Sequence, residues 1–167
     1  MQIQIAGIVP ESVVDGPGIR MVVFCQGCPH QCVGCHNPHT HDANGGESTT
    51  TEDILAQFVA RPHLKGITLS GGEPFVQAAA CAELAQKVQQ TGKQVLVYSG
   101  YIWEELQNLS VQNSDIMQLI KHTDILIDGA YIKQERDLNL AFRGSKNQRI
   151  IDVPKSLQAG TVQLLNW

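Results

Sequence analysis

Short runs of aliphatic and β-branched residues recur along the chain, separated by stretches whose apolar positions fall at helical spacing. Residues 2–8 and the run Arg20-Met21-Val22-Val23-Phe24 read as the first two strands. Gly66-Ile67-Thr68-Leu69-Ser70, Gln94-Val95-Leu96-Val97-Tyr98 and Asp124-Ile125-Leu126-Ile127-Asp128 read as three more, residues 148–153 as another, and Leu164 and Leu165 as a last touch on the sheet. Between them, residues 52–60 carry Ile54, Leu55, Phe58 and Val59 at helical spacing, with Thr49 three residues ahead as a capping box. Residues 77–91 put Cys81, Leu84 and Val88 on one helical face, and Gly92 stops that helix. Residues 102–109 and 115–122 predict two shorter helices. Residues 36–50 are polar and rich in Gly and Thr, and read as loop.

Strands alternating with helices imply right-handed βαβ units and an α/β fold with a mostly parallel sheet. The runs around Ile67, Val95 and Ile125 are apolar throughout, as strands covered on both faces are. At 167 residues the chain is short for a closed eight-fold barrel, which needs about 250 residues. An incomplete, open (β/α) barrel fits, formed by one domain over residues 1–167. Three strands end alike, in Ser70-Gly71-Gly72-Glu73, Tyr98-Ser99-Gly100-Tyr101 and Asp128-Gly129-Ala130-Tyr131, and the strand from Arg20 runs into a cysteine loop. Ligands of parallel α/β folds sit at the carboxyl ends of strands, so these four ends predict one polar rim.

Composition narrows the function classes. The net charge is −4, with no basic face for nucleic acid. No stretch is long and apolar enough to span a membrane, and Met1-Gln2-Ile3-Gln4-Ile5 has no signal-peptide character, so a cytoplasmic protein is expected. Five cysteines, four of them crowded together, point to metal or redox chemistry rather than to a disulfide framework.

The crowded run is Cys28-Pro-His-Gln-Cys32-Val-Gly-Cys35. Three thiolates so close can hold three irons of a cubane cluster and leave the fourth iron open to a substrate. The competing reading is a zinc site completed by Cys25 or a nearby histidine, but zinc sites draw ligands from two separated segments and these candidates crowd into eleven residues. Cys25 continues the alternation of Met21 and Val23 onto one strand face and reads as packing, as does Cys81 on its helix face. Gly71-Gly72-Glu73-Pro74 alone is a tight turn with a helix-start proline. His30, His36, His39 and His41 surround the cysteine loop, where solvated histidine is the default. Asp15-Gly16-Pro17-Gly18 is a turn by composition.

Together these motifs resemble one family. The C-x3-C-x2-C spacing and Gly71-Gly72-Glu73-Pro74 are similar to the two signatures of the radical S-adenosylmethionine (radical SAM) superfamily. Asp15-Gly16-Pro17-Gly18-Ile19-Arg20, Gly34-Cys35-His36-Asn37-Pro38 and Arg143-Gly144-Ser145-Lys146-Asn147-Gln148-Arg149 resemble the activating proteins of anaerobic (class III) ribonucleotide reductases. Gly34 stands where many superfamily members have an aromatic residue, and Asp128 is followed by Gly129 and Ala130 where some activases carry a lysine. The resemblance implies a radical SAM enzyme of the open-barrel type. Cys28, Cys32 and Cys35 would hold a 4Fe-4S cluster. S-adenosylmethionine would lie against Gly34, Cys35, His36, Gly71, Gly72, Glu73, Pro74, Ser99 and Asp128, with Glu73 or nearby carbonyls accepting from its ammonium group. Reductive cleavage of SAM would yield a 5′-deoxyadenosyl radical that takes hydrogen from a glycine of the partner, the glycyl radical subunit of anaerobic ribonucleoside-triphosphate reductase. A flavodoxin-type protein would supply the electron. The same motifs would serve an activase of formate-lyase type; a zinc-binding module is the more distant alternative. Arg143 and Arg149 carry a structural or partner-docking expectation.

Overall fold

The computed structural model describes residues 1–167. Its strands join one seven-stranded sheet: β1 (Gln2–Ser12), β2 (Arg20–Cys25), β3 (Glu47–Thr50), β4 (Gly66–Gly71), β5 (Gln94–Tyr98), β6 (Ile125–Asp128) and β7 (Arg149–Asp152). The order across the sheet is β3-β1-β2-β4-β5-β6-β7. β2, β4, β5 and β6 are parallel, whereas β1, β3 and β7 add antiparallel at the flanks. The edge strands β3 and β7 do not pair with each other, so the sheet is an open, incomplete barrel.

The two faces of the sheet are covered differently, and that difference creates the site. Met21, Val23 and Cys25 of β2, Ile67 and Leu69 of β4, and Val95 and Val97 of β5 point to one side. There they join the apolar faces of α1 (Thr51–Val59), α2 (Ala78–Gln90), α3 (Trp103–Ser110) and α4 (Ser114–Lys121). The alternate residues form a smaller cluster on the other side: Leu96, Ile125, Ile127 and Ile150, joined by Tyr98, Phe142 and Leu165. No long helix lies there. The cover consists of the segment after β1, the segment between β6 and β7, and the chain end.

Arg20 explains how the first of these covers is held. Its side chain is fully buried at the foot of β2. The guanidinium donates to Thr68 Oγ1 (2.8 Å), Gln94 Oε1 (2.9 Å), and the carbonyls of Ile67, Pro17 and Gln94. Thr68 Oγ1 in turn donates to the Asp15 carbonyl at 2.8 Å. The Asp15–Arg20 run therefore folds inward over the sheet. Burial lowers the Arg20 pKa to about 10, countered by Asp124.

Four local expectations differ from the structure. The 36–50 stretch contains β3, a polar strand whose sequence Glu47-Ser48-Thr49-Thr50 has no apolar alternation because it pairs only at the sheet edge. The cap of α1 is Thr50, not Thr49: Thr50 Oγ1 accepts from Asp53 N at 3.1 Å. The helix after Glu73 begins as a short 3-10 turn over Pro74–Gln77, since proline opens it without needing a donor. A fifth helix, α5 (Val153–Ala159), follows β7; Asp152 caps it and Gly160, at φ +73°, ends it.

Candidate active site

The four parallel strands end on one side of the sheet, and their ends share a cavity of about 140 Å³. Its lining includes Cys28, Cys32 and Cys35 after β2, Gly71 and Gly72 after β4, Ser99 and Gly100 after β5, and Gly129 after β6. The rim predicted from the strand-end sequences is present. A larger cavity of about 870 Å³ lies over the helix-free face of the sheet. Both are lined by His36, Asn37, Ser70, Tyr98, Tyr131 and Gln148, so they adjoin. Val13, Val14, Asp15, Leu138 and Arg143 line the outer part of the larger one. Its volume lies within the range of small-molecule sites.

The cysteine loop is an excursion closed at its base. β2 delivers Gln26, whose buried amide Nε2 donates to the carbonyls of His39 (3.0 Å) and Asp42 (2.7 Å). Gly27 N donates to the Thr40 carbonyl and Cys28 N to the His41 carbonyl. The outgoing and returning limbs are thus tied together beneath the cysteines. Within the loop, Cys35 N donates to the Cys32 carbonyl. Gly34 adopts φ +76°, which favours glycine, and a Cβ there would stand 3.3 Å from Lys133 and 3.5 Å from Tyr131.

All three loop cysteines are free thiols, half-buried on the cavity. Asn37 N donates to Cys35 Sγ at 3.4 Å. Burial raises the Cys28 pKa, while the amides of His30 and Gln31, bonded to its sulfur, act to lower it. No three His, Cys, Asp or Glu side chains are disposed to hold a single metal ion. A cubane requires something different, one thiolate on each of three separate irons, and this donor set fits that demand. Cys25 lies on the opposite face with no exposure; its Sγ is 3.8 Å from the Sγ of Cys81. The Cys25 bond and burial raise the Cys81 pKa well above the ordinary thiol value.

Glu73 takes an unexpected position. It has no exposed surface and does not line the cavity. Its carboxyl accepts from Phe75 N (3.1 Å), Gly100 N (2.8 Å) and Ser99 Oγ (3.0 and 3.1 Å). His30 Nε2, from the middle of the cysteine loop, lies 2.6 Å from its Oε2. With both oxygens already accepting, the imidazole is the donor. The backbone adds to this knot: Gly72 N donates to the Cys25 carbonyl and Glu73 N to the Gly27 carbonyl, both at 2.8 Å. One side chain therefore joins the ends of β4 and β5 and the cysteine loop. Two glycines make the close packing possible. At Gly71, φ is +91° and a Cβ would stand 2.7 Å from β2 backbone atoms; at Gly100 a Cβ would stand 2.3 Å from the His30 ring.

The other expected contacts divide. Cys35, His36, Gly71, Gly72 and Ser99 line the cavity, whereas Gly34, Glu73, Pro74 and Asp128 do not. Asp128 is fully buried, accepting from Arg149 Nη2 (2.6 Å), Arg149 Nε (3.0 Å) and Trp103 N (2.7 Å). Arg149 also reaches Glu104, and these partners hold its pKa above the usual guanidinium value. Arg143 binds the Trp167 carbonyl and faces the larger cavity. Tyr131, Gln148 and Tyr98 also line both cavities, beyond the residues expected at the site. Tyr131 lies beside His36, with ring centroids 5.0 Å apart, and lines both cavities. Tyr131 does belong to the Asp128-Gly129-Ala130-Tyr131 strand end and Gln148 to the 143–149 motif, which is the signal that could have found them.

The family description "4Fe-4S single cluster domain" matches residues 14–151. The chain is 35% identical over 147 residues to the anaerobic ribonucleoside-triphosphate reductase-activating protein of Salmonella typhi, covering 83% of this chain and 92% of that one. It is 31% identical over 159 residues to the pyruvate formate-lyase 1-activating enzyme of Escherichia coli (strain K12), covering 90% of this chain and 61% of the enzyme. Among solved structures it is similar to QueE from Escherichia coli, with TM-score 0.47 and 19% identity, over 60% of this chain and 53% of that one.

Proposed function

The chain belongs to the family of the anaerobic ribonucleoside-triphosphate reductase-activating proteins, and from that membership we propose that Cys28, Cys32 and Cys35 hold its cluster. It is a radical SAM activase that generates a glycyl radical on the anaerobic reductase, with a 4Fe-4S cluster and S-adenosylmethionine as cofactors. Once loaded, the cluster supplies the electron for reductive cleavage of SAM. The observation that carries the site reading is the single cavity lined by three free cysteines and four parallel strand ends.

Each element has a part in this reading. Cys28, Cys32 and Cys35 would hold the cluster by three thiolates, which would leave an open site for SAM. Gly71 and Gly72 present backbone on the cavity wall, so their carbonyls, and not the engaged carboxyl of Glu73, are the acceptors for the ammonium. Ser99 faces the cavity while its hydroxyl is committed to Glu73. The adjoining larger cavity takes the rest of SAM and admits the glycine-bearing segment of the reductase. Its open outer side, near Val13, Val14 and Leu138, suits a protein substrate. We read residues 1–167 as one domain, a flavodoxin-type protein as the electron donor, and the cytoplasm as its place. No helix is long and apolar enough to cross a membrane. The formate-lyase alternative ranks second because the chain spans 61% of that activase's length but 92% of the reductase activase's.

The test is anaerobic reconstitution followed by iron and sulfide assay, EPR with and without SAM, and incubation with each glycyl radical enzyme. About four irons per chain, a spectrum perturbed by SAM, and a glycyl doublet on the reductase are expected. Zinc in place of iron, or a cluster indifferent to SAM, would sink the reading.

A further inference from the structure

We propose that the His41 imidazole donates a hydrogen bond from Nε2–H to a sulfur of the cluster held by Cys28, Cys32 and Cys35, and that this bond raises the cluster's reduction potential. The inference rests on the three-cysteine cluster reading given above.

His41 Nε2 is the one buried side-chain nitrogen or oxygen in the chain with no hydrogen-bond partner. The residue lines the cavity shared by the three cysteines. A buried imidazole nitrogen requires a hydrogen-bond partner, native structures seldom leave one unmet, and in the proposed bond Nε2 carries the proton. No Asp or Glu side chain lines that cavity, so no carboxyl is there to receive it. The backbone around His41 is fixed: His41 N donates to the Pro38 carbonyl, the His41 carbonyl accepts from Cys28 N, and the Gln26 amide binds the carbonyls of His39 and Asp42 on either side. The imidazole is therefore carried by the same closed loop that carries the cysteines. Thiolates and bridging sulfides are the acceptors such a site supplies. A donor to them stabilises the more negative, reduced cluster, and hydrogen bonds to sulfur are among the protein's levers on cluster potential. His41 acts here as a positioning and tuning residue, not as a ligand.

The experiment compares wild type with His41→Phe, which removes the donor, and His41→Gln, which keeps an N–H. Each is reconstituted without oxygen, assayed for iron, and titrated potentiometrically by EPR in the absence of SAM. His41→Phe is expected to retain wild-type iron content but to show a lower midpoint. At the wild-type midpoint, its reduced-to-oxidised ratio falls about tenfold, equivalent to about 59 mV for a one-electron couple. His41→Gln stays near wild type. Wild-type protein labelled with ¹⁵N-histidine should also show a nitrogen hyperfine coupling to the reduced cluster; this measurement needs no variant. A His41→Phe cluster with the wild-type midpoint, or a labelled wild type without the coupling, overturns the hydrogen bond and leaves the cluster reading standing. A wild type that binds no iron overturns both.

Discussion

Changing any one of Cys28, Cys32 or Cys35 to alanine is expected to leave a folded protein that retains less than one iron per chain after reconstitution and no measurable SAM cleavage. The effect should be all-or-none, because a cubane held by three thiolates has no spare ligand. The nearest other cysteine cannot substitute. Cys25 has no exposed surface and points to the opposite face of β2, against Cys81. Cys25→Ala and Cys81→Ala should therefore bind wild-type iron and lose only packing stability, about 1 kcal/mol each. Iron and sulfide assays on the five single variants decide the matter. A Cys25→Ala protein that fails to assemble a cluster while its far-UV spectrum is unchanged would move the ligand set one position upstream.

The second large effect concerns Glu73. Truncating it to alanine strands Phe75 N, Gly100 N, the Ser99 hydroxyl and the His30 imidazole around the space its carboxyl fills. Stranding buried partners of a charged group costs about 3–5 kcal/mol. That is a large part of the 5–15 kcal/mol typical of a domain. Glu73→Gln keeps the volume but turns an N–H toward donors, and about 2 kcal/mol is expected. Urea denaturation of the cluster-free proteins should show lower midpoints at unchanged slope. A loss below about 1 kcal/mol, combined with a cluster whose EPR spectrum no longer responds to SAM, would instead make the carboxyl a direct ligand of SAM.

The contrast between those two sites shows what the sequence can and cannot convey. The candidate cluster cysteines stand out in the sequence because cluster chemistry calls for thiolates closely spaced within one short loop. The parallel strands were legible because β4, β5 and β6 are continuous apolar runs, and the glycine-rich strand ends pointed to the cavity. A carboxyl next to two glycines suits an ammonium group, so local sequence turns Glu73 toward a ligand. Its true partners, His30, Ser99 and Gly100, lie 43, 26 and 27 positions away, and no local pattern carries that information. β3 carries no apolar alternation because an edge strand needs no apolar face, while Asp152, Pro154 and Gly160 are the local signals of α5. His41 looked like a solvated loop histidine; only the closure of the loop reveals that its Nε2 is buried without a partner.

The way the cysteine loop is closed has a bearing on survival in air. Its base is fastened by Gln26, Gly27 and Cys28 through amide-to-carbonyl bonds that use no thiol. Small zinc modules collapse when stripped because the metal is their core. Here the scaffold is secured separately from the sulfurs. Oxygen that destroys the inorganic part should leave an intact receptacle, ready for a fresh delivery of iron and sulfide.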